Sequence, residues 1–200
     1  RTARIDRASG DAIALVNHTL TVTESWLDAV RDGIQRNDVV TGPTLTLPDG
    51  TIVRDVERGR VAGRTVTYLN AGNMAFKRAV CEQLDGFDEY LQIGGARDFA
   101  HRLAADGVEA HWDEKMSVTR GVEADGGELE VDRDWKYRSL SYRLTKNYSL
   151  RPTVLARLVG LTLRDAGGEL KAVSRGESRP SQWFGAGRDV VTNTLRGCKD

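Results

Sequence analysis

The chain has little of what identifies several protein classes. Only two of its 200 residues are cysteine, and neither has a second cysteine or a histidine nearby at metal-ligand spacing. We therefore expect reduced thiols rather than a disulfide framework or a zinc site. The longest apolar-leaning run, 154–163, is interrupted by Arg157 and is about half the ~20 residues that a membrane span needs. With no leader-like segment at the start of the sequence, we expect a soluble or peripheral protein, in the cytoplasm or at the inner membrane face.

A charge of one sign is also lacking. The 29 lysine and arginine residues are balanced by 29 aspartate and glutamate residues. No global field therefore favours nucleic acid or another polyanion as a partner. What the chain does have is 40% hydrophobic residues, enough for one good core with room for an appended subdomain.

The apolar pattern predicts an α/β body over residues 1–125, followed by a helical tail over residues 126–200. The predicted strands are 11–16, read as a buried parallel strand, then 39–40, 44–47, 51–53, 65–69, 108–112 and 116–119. The segment 54–64 is highly charged and contains Gly59 and Gly63, so it is predicted to be an exposed loop.

Helical periodicity appears in both parts. Thr23 is the predicted N-cap of a helix that places Trp26, Leu27, Val30 and Ile34 on one face. The other predicted helices are 77–84 and 97–105 in the body, and 135–147, 154–175 and 188–195 in the tail.

Three motifs follow one another in the body: LNAGNMAFKR at 69–78, LDGFDE at 84–89 and GGARDFAHRL at 94–103. Their order resembles the catalytic half of family 2 glycosyltransferases, which have the GT-A fold and use nucleotide-sugar donors. The resemblance covers residues 1 to about 120 and only the back half of that fold. It implies a partial GT-A-like nucleotide-diphospho-sugar transferase sheet with flanking helices.

Asp98 is the first candidate for chemistry. It follows Gly94-Gly95 at a predicted helix start, where the helix dipole favours a negative charge. The resemblance implies that this carboxylate is a general base. It would take the proton of the acceptor hydroxyl while that oxygen attacks the anomeric carbon in a single inverting displacement. The structural alternative is an ordinary acid in the first turn of a helix.

Gly72 and Asn73 come after the predicted strand 65–69. Glycine lets the backbone approach a ligand closely, and the asparagine amide offers donors and acceptors to sugar hydroxyls or to a diphosphate. The resemblance implies that the pair binds substrate. A simple strand-to-helix turn is the alternative.

Asn17, His18 and Thr19 follow the predicted strand 11–16, where the family carries an Asp-x-Asp motif. There, carboxylates hold Mg²⁺ or Mn²⁺ against the diphosphate. Asparagine and threonine replace two anionic oxygens poorly, and one histidine does not make a site for a hard cation. We therefore expect no tight metal site, although the family uses one. These residues either line the donor side or form a polar strand end.

Two arginines depart from the family pattern. Arg120 stands where the family often has a histidine, and Arg97 stands in place of the acid before Asp98. Both are assigned to charge stabilisation, since a guanidinium could neutralise a departing diphosphate without metal. A solvated surface charge is the alternative for Arg120. His101 either tunes Asp98, three residues away, or is a surface histidine.

The tail contains an aromatic-basic stretch, with WKYR at 135–138, YR at 142–143 and KNY at 146–148. These residues either clamp an acceptor glycan or touch a membrane surface. The alternative is an amphipathic helix that packs against protein.

The resemblance thus implies a glycosyltransferase-like protein of polysaccharide biosynthesis. It would transfer a sugar from a nucleotide-sugar donor to a glycan or lipid-linked acceptor. The βαβ unit that holds the nucleotide in such enzymes has no counterpart in these residues. We therefore expect a fragment of a longer enzyme, or a chain whose partner supplies the nucleotide-binding half. The alternative is a non-catalytic truncated homologue that binds a glycan or a partner protein.

Overall fold

The computed structural model describes residue 5 and residues 7–121, 133–149, 151–160 and 164. The chain divides into two compact units. Among the described residues, the first unit holds 5, 7–90 and 95–121, and the second holds 91–94, 133–149, 151–160 and 164.

All the strands of the described residues lie in the first unit. They are β1 (Ala12–Val16), β2 (Leu20–Val22), β3 (Val39–Thr41), β4 (Thr44–Thr46), β5 (Ile52–Arg54), β6 (Glu57–Val61), β7 (Arg64–Tyr68), β8 (Asn73–Lys77), β9 (Ala110–Trp112) and β10 (Val118–Arg120). The helices are α1 (Trp26–Arg36), α2 (Arg78–Gln83), α3 (Gly95–Ala105) and, in the second unit, α4 (Arg133–Tyr148). The result is a mixed α/β body, as the sequence predicted.

The main sheet has the order β1-β8-β3-β9. β8 lies inside it, antiparallel to both β1 and β3, whereas the sequence pattern predicted no strand at 73–77. The prediction of a buried parallel strand at 11–16 was wrong. β1 is antiparallel to β8 and lies at the sheet edge, so only Ile13 of its five residues is fully buried. β3 and β9 do run parallel.

Both faces of the main sheet are covered, because its central strands alternate side chains between two cores. Val39 and Phe76 face the larger core, which contains residues of α2 and α3. Val40 and Ala75 face a smaller core that contains residues of α1. The larger core holds three phenylalanine rings, with the Phe87 and Phe99 ring centroids 4.8 Å apart. Phe87, from the LDGFDE motif at 84–89, is therefore an aromatic residue of the core.

A second sheet has the order β2-β10-β4-β5, and β6 and β7 form a separate hairpin. The hairpin corrects the prediction of an exposed loop at 54–64. Val61 pairs with Arg64, which leaves Ala62 and Gly63 as a two-residue turn with φ of 49° and 86°. Two positive φ angles are typical of a type I′ hairpin turn. Val61 and Val66 bury one side of the ribbon, and that burial outweighs the polar composition of the segment.

Helix α1 begins later than predicted. Thr23 does not cap it: Ser25 is at the N-cap position, while the Thr23 hydroxyl donates to the Ser117 carbonyl at 2.9 Å. Val30 is buried and Trp26 and Ile34 are partly buried, as predicted. Leu27, predicted on the same face, is 50% exposed. The face of α1 that meets the sheet is built on the small residues Ala29 and Gly33 instead.

The prediction for α3 is confirmed. The helix ends just before Gly107, which has a φ of 74°, a conformation that glycine adopts without strain. Phe99, Ala100 and Leu103 are all buried, as the helical spacing indicated.

In the second unit, α4 confirms the helix predicted at 135–147, and residues 152–160 are also helical. The rest of the helix predicted at 154–175 and the helix at 188–195 lie outside the residues that can be described. Within the described ranges, no helix combines the length and apolarity of a membrane span.

Candidate active site

The structure brings the 17–19 segment and Gly72 together at one end of the β1–β8 pair. The Asn17 backbone N–H donates to the Gly72 carbonyl at 3.0 Å. Asn17, His18 and Thr19 are exposed, and Gly72 is half-buried. A side chain at position 72 would meet Leu20 Cδ1 at 2.8 Å and Asn17 Cβ at 3.5 Å. The glycine thus lets the two turns come close. The approach predicted from the sequence, that of the backbone to a ligand, stays a prediction.

Arg120 joins this group through the second sheet. It is directly opposite Leu20, the residue that follows Thr19, in the antiparallel β2–β10 ladder. Its side chain is half-buried. We call Asn17, His18, Thr19, Gly72 and Arg120 the turn cluster. It offers exposed polar groups and one guanidinium at the edge of two sheets.

Asn73 lies beside the turn cluster, but its side chain points into the protein. It is fully buried, and its carbonyl oxygen accepts a hydrogen bond from the Trp26 indole at 2.8 Å. Its amide nitrogen donates to the Met116 carbonyl at 2.5 Å. The Asn73 side chain therefore links β8 to α1 and to the segment that precedes β10. A substrate contact from this side chain would require these bonds to break.

Asn70 is a positioning residue that sequence reasoning missed. It is 4% exposed, and its side-chain oxygen accepts from the Gly72 backbone N–H at 3.1 Å. Its amide donates to the Gly42 carbonyl at 2.9 Å and to the Thr44 hydroxyl at 2.8 Å. The signal was an asparagine inside an apolar strand end, because a buried amide must find several partners.

The turn cluster does not fit a divalent cation. Its side chains include no carboxylate, and Mg²⁺ and Mn²⁺ favour anionic oxygen ligands. Among the residues that the structure describes, no group of three histidine, cysteine, aspartate or glutamate side chains is placed to hold a metal. We therefore derive no chemical step through a metal ion for this chain.

Asp98 is held in a buried ion pair. It lies in the first turn of α3 and is 0% exposed. Arg102, one turn further along, donates its Nε–H to the Asp98 carboxylate at 2.8 Å and also donates to the Leu84 carbonyl. The carboxylate thus fixes an arginine that ties α3 to the end of α2. An acceptor hydroxyl could reach Asp98 only after a local rearrangement.

Arg97 and His101 belong to a second group on α3. Arg97 forms a double hydrogen bond with Glu57, at 2.9 and 2.5 Å, and lies 4.5 Å above the Tyr68 ring. His101 is 1% exposed, with its ring edge-on to Tyr68 at 5.5 Å. The surface-histidine interpretation of His101 was therefore wrong, since the imidazole packs in the core.

Basic and aromatic side chains of α4 contact one another. The Arg138 guanidinium lies 5.3 Å from the centre of the Trp135 ring, and the Lys146 ammonium lies 5.7 Å from the centre of the Tyr142 ring. Tyr137, Leu144 and Tyr148 are buried, as is Arg143. These placements favour the packing interpretation over a glycan clamp.

Comparison with solved structures identifies the architecture. The chain is similar to a mannosyltransferase from Pyrobaculum calidifontis in complex with GDP-mannose and Mn²⁺, with a TM-score of 0.50 and 11% identity. The fold is GT-A-like. The alignment covers 98% of this chain and 64% of that one, so the chain spans a part of the length of its structural neighbour.

At this identity the likeness concerns the GT-A-like fold alone. A scan against protein-family models finds no match, and a search of curated proteins finds none either. The motifs at 69–78, 84–89 and 94–103 therefore sit in a GT-A-like fold, as their order indicated, with no match at the level of sequence.

Proposed function

We propose that this chain is part of a glycosyltransferase of the family 2 type. It would transfer a sugar from a nucleotide-sugar donor to a glycan or lipid-linked acceptor, with inversion at the anomeric carbon. The observation that supports the proposal most is the GT-A-like fold, which resembles a mannosyltransferase over 98% of this chain. The turn cluster adds support, because polar residues predicted to bind the donor come together there.

Each member of the turn cluster has a role in this proposal. Gly72 lets the diphosphate approach the backbone, and Asn17 and Thr19 offer hydrogen bonds to its oxygens. Arg120 supplies the positive charge for the leaving nucleoside diphosphate. Asn73 acts as a positioning residue, and Arg97 stabilises charge only if its bonds to Glu57 open. His18 adds an imidazole donor to the exposed turn.

Asp98 remains our proposed base, with a condition that its burial sets. The carboxylate must leave Arg102, or the end of α3 must open, before it can accept a proton. The alternative function is a chain that binds a glycan or a partner protein without catalysis, in which the Asp98–Arg102 ion pair is purely structural. In either case the site of action is the cytoplasm or the inner membrane face.

Donor binding tests the proposal most directly. We would titrate the chain with GDP, UDP and GDP-mannose in a calorimeter, with and without Mn²⁺. Arg120→Ala should weaken binding about tenfold or more, because an arginine-to-phosphate hydrogen bond contributes about 1.5–3 kcal/mol. Arg31→Ala is the matched control, since Arg31 is an exposed arginine outside the turn cluster, and the affinity of this variant should be unchanged.

Transfer is then measured as release of nucleoside diphosphate from GDP-mannose with a glycan acceptor. Asp98→Asn should lower the rate about 10²–10⁴-fold, at a temperature where the variant is folded. An Arg120→Ala variant that binds nucleotide as tightly as the unmodified chain would refute the donor site. A chain that binds glycan but transfers no sugar would establish the binding-module alternative.

A further inference from the structure

A cleft of about 580 Å³ opens between α1 and the turn that joins β9 to β10. It lies within the first unit, and none of its lining residues belongs to the turn cluster. Its volume falls within the ~300–1,000 Å³ typical of small-molecule sites, so the cleft is large enough for a small organic ligand.

Two small residues of α1 line the cleft. Ala29 and Gly33 are buried one turn apart and form its floor. A side chain at position 33 would meet the methyl groups of Val40 at 2.8 and 3.0 Å, so the helix lies close to β3 at this point. The Ser25 hydroxyl donates to the Lys115 carbonyl at 2.9 Å and holds the opposite wall in place.

The walls combine one aromatic ring with many hydrogen-bonding groups. Trp112 lines the cleft and is only partly buried. Asp28 and Asp32 stand one turn apart on the exposed rim of α1, with side chains 83% and 64% exposed. Each forms a surface ion pair on the same helix, with Arg31 and Arg36 respectively. The half-buried Asn37 also lines the cleft, and its amide nitrogen donates to the Gly33 carbonyl at 3.0 Å.

The charge of the cleft decides the class of ligand. Four carboxylates line it, at Asp28, Asp32, Asp113 and Glu114, against the two cations Arg36 and Lys115. A net excess of carboxylates repels phosphate and carboxylate groups, so a nucleotide is disfavoured. A metal ion is also disfavoured, because no set of three suitable ligands converges in the described part of the chain.

We propose that this cleft binds a short neutral oligosaccharide. The face of the indole packs against the C–H face of one sugar ring, and the aspartates accept hydrogen bonds from pairs of hydroxyls. Sugar hydroxyls are neutral donors, so an acidic rim attracts them while it excludes anions. The site does not rest on the proposed sugar transfer, since saccharide binding there needs neither donor nor turn cluster.

The test uses ligand-observed NMR with mannotriose, maltotriose and cellotriose as probes, on the whole chain without added nucleotide. At least one probe should bind with a Kd of about 1 mM or tighter. Trp112→Ala should weaken that binding about tenfold, the effect of one aromatic stacking contact. Leu27→Ala is the matched control: Leu27 is an exposed apolar residue on the same helix outside the cleft, and the Kd should stay within about twofold.

A second variant guards against loss of folding in Trp112→Ala. The double change Asp28→Ala and Asp32→Ala alters only exposed side chains and should also weaken binding about tenfold. It removes two surface ion pairs and a first-turn acid of α1, so the thermal unfolding midpoint should fall by no more than about 5 °C. The proposal is overturned if none of the three probes binds, or if the double variant binds as the unmodified chain does. The proposal is also overturned if GDP displaces the bound saccharide from the unmodified chain but not from Arg120→Ala. That result would place the saccharide and GDP in one site.

Discussion

At the scale of single residues, burial changes how much Asp98 contributes to stability. An acid in the first turn of an exposed helix contributes only a few tenths of a kcal/mol through the helix dipole. The same acid is fully buried here and paired with Arg102. Removal of one partner of a buried ion pair leaves the other charge uncompensated, which costs far more.

We therefore expect Asp98→Asn to lower the free energy of unfolding by about 3 kcal/mol, measured by urea denaturation. Glu57→Gln is the matched control, because it removes the carboxylate partner of another α3 arginine, Arg97, in a pair that is about half exposed. That change should cost about 1 kcal/mol or less. Equal losses in the two variants would show that the burial of Asp98 contributes nothing.

Two glycines make a second comparison at this scale. A side chain at Gly42 would lie against the backbone carbonyls of Met116 and Asp113, at 2.7 Å from the latter. At Gly72 the nearest atom, at 2.8 Å, is the end of the flexible Leu20 side chain. Backbone cannot move aside as a leucine rotamer can, so the same substitution should have different costs at the two positions.

Gly42→Ala should lower the free energy of unfolding by about 3 kcal/mol, and Gly72→Ala by about 1 kcal/mol or less. Chemical denaturation of both variants measures the difference. If Gly72→Ala proved the more harmful of the two, the claim that the Leu20 side chain can move aside would be wrong.

At the scale of elements, the amino-acid composition of two segments led to wrong predictions, because strand pairing determined their structure. The β6–β7 hairpin carries charged residues and two glycines, which are typical of loops, yet pairs along its whole length. Gly59 itself has a packing role, because a side chain there would meet the Tyr68 ring at 3.2 Å. β8 was missed for the opposite reason. Its residues NMAFK are buried in four of five positions, so no alternation marks them as a strand.

The turn between β4 and β5 gives a prediction that depends on pH. Hydrogen bonds from the hydroxyls of Thr51 and Thr46 hold the pKa of Asp49 below its usual value of 3.8. Because the folded-state pKa is the lower one, the stabilisation is present above pH 3.8 and is lost as the pH falls through the folded-state pKa. The melting temperatures of the unmodified chain and Asp49→Ala should therefore differ at neutral pH and converge on acidification.

Thr51→Val tests the cause, since its hydroxyl makes the largest contribution to that lowered pKa. In the Thr51→Val background, Asp49→Ala should change the melting temperature less than it does in the unmodified chain, and that change should depend less on pH. A difference between the melting temperatures that grows below pH 3.8 would contradict the direction of the shift.

At the scale of the whole molecule, the balance of 29 basic and 29 acidic residues gives a formal net charge of zero at pH 7. Proteins without net charge lack the mutual repulsion that opposes association. We expect the solubility of the chain to be lowest near neutral pH and to rise by about severalfold within two pH units on either side. Light scattering across pH at constant ionic strength measures this, and a flat profile would refute it.

The sequence by itself determined the α/β class, most strand positions and the α3 helix, because local periodicity and glycine signals act over a few residues. It also determined which residue types stand at 17–19, and hence the poor fit to a metal. Only the tertiary structure decided that Asn17 lies against Gly72 and that Arg120 is opposite Leu20, while the side chains of Asp98 and Asn73 are buried in hydrogen bonds of their own. Those placements depend on contacts between residues far apart in the chain, which no local pattern encodes.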